Sequence, residues 1–184
     1  MTRSPATTAE PPPDRVGLRA RDPRLAAWRA LLQAHAMLLR RLDEELRAEN
    51  DLSLAEYETL LHLAESPDRQ LRMNTLADQV LLSRSGVTRL VDRLESAGLV
   101  RRQQCATDHR GSWAVLTTPG LERLRAASRT HLRGIDEHFM SVVAPDDLLA
   151  IGRSMGAVAD RVASGPGQDV EPPGPDQPDT SGRS

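Results

Sequence analysis

The apolar residues of the segment 73–117 change their spacing part-way along, and this change constrains the fold more than any other sequence feature. Helical spacing extends to about Ala97, and Gly98 follows as a helix terminator. Beyond it the period is two, which predicts strands at Leu99–Cys105 and Trp113–Thr117 with a polar hairpin tip between them. The order of helix, turn, helix and hairpin predicts a winged helix-turn-helix, a mainly α fold with a small β-wing.

The second of the two predicted helices carries a polar face suited to DNA. The first helix runs from Asn74 to about Leu81, and Ser83 can cap the second. At 100° per residue the second helix buries four apolar side chains: Val87, Leu90, Val91 and Leu94. Its opposite face presents four polar ones: Ser85, Thr88, Arg89 and Asp92. Hydroxyls and an arginine in these positions can contact base edges and phosphates in a major groove.

Further candidate DNA contacts flank this face. Arg84 and Arg93 are predicted to contact the DNA backbone on either side of the groove, whereas Asp92 is expected to orient Arg89 or Arg93. The hairpin tip is basic and can reach the neighbouring minor groove, where a narrow groove attracts arginine. Arg110 is the candidate for that contact.

Long helices are predicted before and after this lobe, which spans about 53–117. Asp22 and Pro23 begin the first one, and a capping box at Ser53 begins a second that is expected to end near Pro67. The first helix carries a row of residues at steps of three and four: Leu25, Trp28, Leu32, His35, Leu39, Leu42 and Leu46.

The C-terminal helices repeat this pattern. One is predicted to begin at Thr118 and to end near residue 143, and another follows Pro145. The latter again carries apolar residues at steps of three and four: Leu148, Ile151, Met155, Val158 and Val162. Because rows at both ends exceed what a small core needs, helices within 22–50 and 118–163 are predicted to form a homodimer interface. Packing within one chain is the alternative.

Charge is segregated along the chain, although its formal net charge is only −2. Residues 22–68 contain five arginines and ten acidic residues, whereas residues 69–113 contain eight arginines and four acidic residues. The basic segment therefore coincides with the predicted DNA-binding elements. All 24 Lys and Arg residues are arginine, so each cationic contact can be a planar, bidentate fork.

The remaining composition indicates one domain in a reducing compartment. Residues 1–21 and 164–184 are rich in Pro, Gly, Ser, Thr and charge and are predicted to be disordered tails, which leaves a domain at 22–163. No apolar run approaches the roughly 18 residues of a membrane helix, and the start lacks a secretory h-region. With a single cysteine no internal disulfide is possible. A cytoplasmic location is therefore predicted.

The chain resembles the MarR family of bacterial regulators over roughly residues 22–163. The resemblance is carried by the runs 82–95, 98–102, 108–111 and 116–120. It implies a dimer held by the terminal helices, a winged helix in each subunit and pseudo-palindromic operators.

The family's Asp-x-Arg wing motif falls on Asp108 and Arg110. The resemblance implies that the arginine enters the minor groove of double-stranded DNA and that the aspartate helps to fix it. His109 stands where the family often has a second basic residue.

The resemblance also implies a pocket for a small, often aromatic or phenolic anion whose binding releases DNA, and hence a ligand-responsive repressor. The candidate lining is Trp28 and His35 on the first helix and Tyr57 and His62 on the second. The alternative is that these side chains serve only packing.

The sequence leaves two other functions as alternatives to this one. If Cys105 forms a reactive thiolate, the protein would be a redox-responsive regulator; the alternative is that Cys105 has only a structural role in the wing strand. If the winged helix serves only as a protein-binding adaptor, it would bind no DNA. An enzyme is not predicted, because the sequence lacks a nucleophile with its base, paired carboxylates and a phosphate-binding glycine loop. No cofactor is expected. His131 and His138 share one helix face, but without further ligands they predict no metal site.

Overall fold

The computed structural model of the chain describes residues 22–80, 82–104 and 112–164. Its helices and strands are, in chain order, α1 Pro23–Asn50, α2 Leu54–Glu65, β1 Gln70–Arg72, α3 Met73–Gln79, α4 Arg84–Ser96, β2 Val100–Gln104, β3 Ser112–Leu116, α5 Thr118–Ile135 and α6 Pro145–Ala163. A π-helical turn, Asp136–Met140, follows α5. The chain forms two compact units, one ending at Phe139 and the other beginning at Met140. Apart from Ser164, the predicted tails lie outside the described residues.

The three strands form one antiparallel sheet in the order β1-β3-β2. Gln103 of β2 pairs with Trp113 of β3, which confirms the predicted hairpin partners. On its other edge Trp113 pairs with Arg72 of β1. The predicted mainly α fold with a small wing is confirmed, and β1 is an addition that the sequence pattern did not indicate.

Local hydrogen bonds explain where α1 ends and α2 begins. Asp51 closes α1 in the left-handed region at φ 52°, which turns the chain sharply. The predicted capping box is present: Ser53 Oγ accepts from the Glu56 amide and a Glu56 carboxylate oxygen accepts from the Ser53 amide. Asp43 of α1 adds a third bond, since its Oδ1 accepts from the Leu54 amide at 2.8 Å. The start of α2 is therefore fixed to α1.

The core of the first unit lies between α2, α3, α4, the sheet and α5. It is built from fully buried side chains that several elements contribute, including Leu60, Leu63, Leu76, Val91, Leu94, Val100, Ala114 and Ala127. Burying one of these leucine or valine side chains contributes about 1.5–3 kcal/mol. This core holds α4 and the two wing strands in one body.

The apolar row of α1 is only partly covered. Leu42 and Leu46 are buried, and Gly134 of α5 lies against Leu42 so closely that an added Cβ would come within 2.6 Å of Leu42 Cδ2. Further toward the N-terminus, Trp28 is 54% exposed and Leu32 is 48% exposed. That part of α1 leaves an unusual amount of apolar surface in water.

The second unit contains α6. Pro145 occupies its first turn, and Ala144 precedes it without a side-chain cap. The predicted apolar row is largely exposed, with Met155 at 38%, Val158 at 54% and Val162 at 76%. Of the helices in the described part of the chain, none combines the length and apolarity that crossing a membrane requires.

Candidate nucleic-acid interface

Helix α4 presents the polar face that the sequence predicts. Val87, Leu90, Val91 and Leu94 are its buried residues, and Ser85, Thr88, Arg89 and Asp92 are all exposed. Ser83 caps the helix, because its Oγ accepts from the Gly86 amide at 3.1 Å, and it lies 3.2 Å from the Ser85 hydroxyl. Both expectations are confirmed.

Two arginines on α4 keep their cationic groups unpaired within the described residues. Arg84 and Arg89 are exposed and form no ion pair with any residue that the structure describes. Beside them, Thr88 Oγ1 donates to the main-chain oxygen of Arg84 at 2.9 Å. The Thr88 hydroxyl therefore retains its lone pairs as acceptors toward the outside.

Arg93, by contrast, is bound to α2. Its Nε donates to Oε1 of Glu56 at 2.9 Å. Burial alone would raise the pKa of Glu56, but hydrogen bonds from the Ser53 amide and from Arg93 lower it below its ordinary value. The charged pair joins α4, the recognition helix of the predicted helix-turn-helix, to the start of α2, and contact between Arg93 and a DNA phosphate stays a prediction.

The expectation that Asp92 orients Arg89 or Arg93 is wrong. Asp92 Oδ1 lies 2.6 Å from Nη2 of Arg102, which comes from β2. The physical reason is that β2 runs beside α4 and brings a guanidinium to the same face. Spacing along one helix could not indicate this partner.

The wing carries basic and aromatic side chains at its base. The Arg72 guanidinium lies 5.2 Å from the ring centroid of Trp113, in cation–π contact. Arg101 is exposed on β2. The predicted tip residues Asp108, His109 and Arg110, together with Cys105, lie outside the described residues.

The four residues predicted to line a ligand pocket occupy different environments. Trp28 and His35 are exposed on α1, His62 is half-buried on α2, and Tyr57 is buried. Tyr57 packs on the ring of His131 with centroids 4.5 Å apart, and burial lowers the pKa of that histidine. A groove of about 530 Å³ beside α1 is lined by other residues: Ala34, Met37, Leu38, Arg40, Arg41, Glu44, His138 and Phe139.

The two histidines of α5 and its π-helical turn have separate partners. His131 packs on Tyr57, whereas His138 Nε2 lies 2.7 Å from Oε1 of Glu45 on α1. The hydrogen bond from His138 lowers the pKa of Glu45, despite the opposing effect of burial. Sequence spacing did not indicate this contact, which ties the π-helical turn after α5 to α1.

Comparisons with known proteins agree with this architecture. A model of the MarR family matches residues 50–111. The solved structure of AbsC, a MarR family transcriptional regulator from Streptomyces coelicolor, is 34% identical with a TM-score of 0.71 and covers 78% of this chain and 96% of its own. The chain belongs to the MarR family.

Two further relatives support this membership. Sco3205, a MarR family regulator from Streptomyces coelicolor solved in complex with DNA, is 34% identical with a TM-score of 0.70 and covers 74% of this chain and 85% of its own. The HTH-type transcriptional regulator MhqR from Bacillus subtilis is 30% identical over 99 residues, 54% of this chain. The match spans 64% of the length of MhqR.

Proposed function

We propose that this MarR-family protein is a sequence-specific, DNA-binding transcription regulator that binds an inverted-repeat operator as a homodimer. The exposed face of α4 carries the proposal. There Arg84 and Arg89 are unpaired among the described residues, while Asp92 and Glu95 on the same helix face Arg102. Among the described residues, both carboxylates that lie on α4 thus face a guanidinium, while Arg84 and Arg89 leave their cationic groups available to phosphates.

The proposed docking on DNA follows from the exposed face of α4. The N-terminus of α4, capped by Ser83, favours a phosphate through its free amides and helix dipole. Arg89 lies in the groove, where its fork can pair with guanine O6 and N7. Arg84 and Arg93 flank the helix toward the DNA backbone, and Ser85 and Thr88 supply hydroxyls. The wing, through Asp108, His109 and Arg110, meets the adjacent minor groove.

The dimer is supported by apolar surface on each unit considered alone. Trp28, Leu31 and Leu32 of α1 are 54%, 41% and 48% exposed, and Val158 and Val162 of α6 are 54% and 76% exposed. Soluble monomers rarely leave such contiguous apolar rows in water. In a two-fold dimer the recognition helices read half-sites about one DNA turn apart, roughly 34–36 Å.

The test combines DNA binding with mass. The full chain is titrated by fluorescence anisotropy against a duplex from the upstream region of its own gene, at two salt concentrations. Light scattering gives the molar mass at micromolar concentration. We expect the mass of a dimer, an affinity that falls steeply as salt rises, and a nuclease footprint on the same duplex that covers two half-sites. A duplex of the same composition in scrambled order is the control.

Other outcomes identify the alternatives. A monomer, or protection of a single half-site, contradicts the dimeric inverted-repeat proposal. No salt-dependent affinity for any duplex indicates a protein-binding adaptor. Affinity that changes with oxidation of Cys105 indicates the redox-responsive alternative.

We also propose that the protein is a repressor released by a small aromatic or phenolic anion. This proposal is supported by the family membership and by four aromatic and imidazole side chains: Trp28, His35, Tyr57 and His62. Tyr57 and the His131 ring already form a half-buried aromatic contact between α2 and α5, of the kind that such pockets use.

A fluorescence titration tests the ligand. The chain has two tryptophans, so Trp113→Phe leaves Trp28 as the sole reporter and Trp28→Phe is the matched control. We expect salicylate or a related phenolic acid to quench Trp28 and to weaken DNA binding over the same concentration range, because coupling between two sites is reciprocal. Quenching of Trp28 without any change in DNA affinity would contradict a ligand that releases DNA, and the absence of quenching would leave these residues with a packing role only.

A further inference from the structure

Arg102 joins the wing to the recognition helix. Its side chain is 32% exposed, and its Nη2 lies 2.6 Å from Oδ1 of Asp92. The same Nη2 donates to the main-chain oxygen of Thr88 at 3.1 Å. The main-chain amide of Arg102 donates to Oε1 of Glu95 at 2.9 Å. One strand residue thus holds α4 at three points along a single side of the helix.

The neighbouring arginine points the other way. Successive side chains of a strand lie on opposite faces, and Arg101 is exposed, with its Nη1 donating to Gln103 on the same strand at 2.8 Å. Arg101 and Arg102 therefore share residue type, strand and charge but differ in whether they contact α4. Arg101 is the matched control for Arg102.

The acidic partners of Arg102 lie on the face proposed to meet DNA. Asp92 is 53% exposed and Glu95 is 41% exposed. Carboxylates in that position would repel phosphates if they were unpaired. Removing Asp92 thus has two opposite expected effects: electrostatics alone predicts tighter DNA binding, whereas loss of a joint between helix and wing predicts weaker binding.

We propose that Arg102 is a positioning residue for DNA recognition, which fixes the wing to α4 through Asp92, Glu95 and the Thr88 carbonyl. The helix and the wing then approach their two grooves as one unit, so that less conformational freedom is lost on binding. The inference rests on the proposed DNA binding. The Arg102 guanidinium acts through α4 and contacts no phosphate.

Anisotropy titrations of four proteins test this role: the wild type, Asp92→Ala, Arg102→Gln and Arg101→Gln. We expect Asp92→Ala and Arg102→Gln each to weaken binding to the upstream duplex by roughly three- to thirtyfold. For Asp92→Ala this is the opposite of what charge alone predicts, and a weaker helix does not account for it, since alanine is the better helix former. For Asp92→Ala, the slope of log affinity against log salt concentration stays at the wild-type value. Arg101→Gln is expected to lose less affinity than either.

A second measurement separates positioning from a general loss of stability. Arg110→Ala is made in the wild type and in Asp92→Ala, and its cost in affinity is compared. If Asp92 and Arg102 hold the wing in place, Arg110→Ala costs less in the Asp92→Ala background, because the wing there is already displaced. Circular dichroism confirms that each variant is folded at the assay temperature.

The outcomes are distinct. Weaker binding by both variants together with a reduced cost of Arg110→Ala supports the proposal. Unchanged or tighter binding by Asp92→Ala, or an equal cost of Arg110→Ala in both backgrounds, overturns it. A wild-type chain that binds no duplex would instead overturn the proposed function, and the inference with it.

Discussion

We expect Gly120→Ala to lower the free energy of unfolding by about 3 kcal/mol or more, a larger effect than most single substitutions have. Gly120 is buried at the start of α5, where an added Cβ would come within 2.0 Å of the Leu99 carbonyl oxygen and 2.8 Å of Leu116 Cδ1. The alanine gains about 1 kcal/mol in helix propensity. That gain cannot offset a backbone clash, which only a shift of α5 away from Leu99, the residue before β2, relieves.

Such a shift would also break the bonds that hold this junction. The Thr117 amide and hydroxyl both donate to the Leu99 carbonyl, at 3.1 and 2.9 Å, while the Thr117 Oγ1 caps Gly120 at 3.0 Å. Thermal unfolding followed by circular dichroism measures the effect, expected as a drop of roughly 6–12 °C. Gly152→Ala in α6, where nothing in the same chain lies within 4 Å of the added Cβ, is the control; measured together with the molar mass, it should leave Tm unchanged or slightly raised while the oligomeric state stays that of the wild type. Equal Tm values for Gly120→Ala and the wild type would contradict the close approach.

The second large effect separates the two arginines that are proposed to read DNA. Arg89→Ala is expected to cost about 1–3 kcal/mol on the operator and to relax the preference at one base pair per half-site, because a bidentate pair with guanine is removed. Arg110→Ala is expected to weaken binding to many sequences alike, since the minor groove presents a degenerate pattern. Its salt slope should become shallower by about one unit for each phosphate that the variant no longer neutralises.

Titrations against a panel of single-base operator variants at several salt concentrations measure both effects. Asp108→Ala should give a milder form of the Arg110→Ala defect, because the charge remains. Ser85→Ala and Thr88→Ala should cost less than Arg89→Ala. A change of base preference with Arg110→Ala and none with Arg89→Ala would reverse the proposed docking of helix and wing.

Most of the helical framework could be predicted because it depends on residues close together in the chain. The Asp22 cap, the Ser53–Glu56 capping box and the Ser83 cap are each formed within three residues. The buried and exposed faces of α4 follow from the 3.6-residue period alone. Helix ends differed from expectation by only one or two residues at α2 and α3, whereas α5 gives way to a π-helical turn at Asp136, short of the predicted end.

The sequence by itself determined the winged helix-turn-helix and the polar face of its recognition helix, because periodicity and capping are properties of neighbouring residues. Only the tertiary structure decided which partners the charged side chains have. Arg102 of β2 reaches Asp92 of α4, and Arg93 reaches Glu56 from 37 residues away. The three-residue β1 is likewise defined by its pairing with β3, since so short a segment carries no period of its own. Such contacts depend on how the elements pack, and the spacing of residues along the chain does not encode that packing.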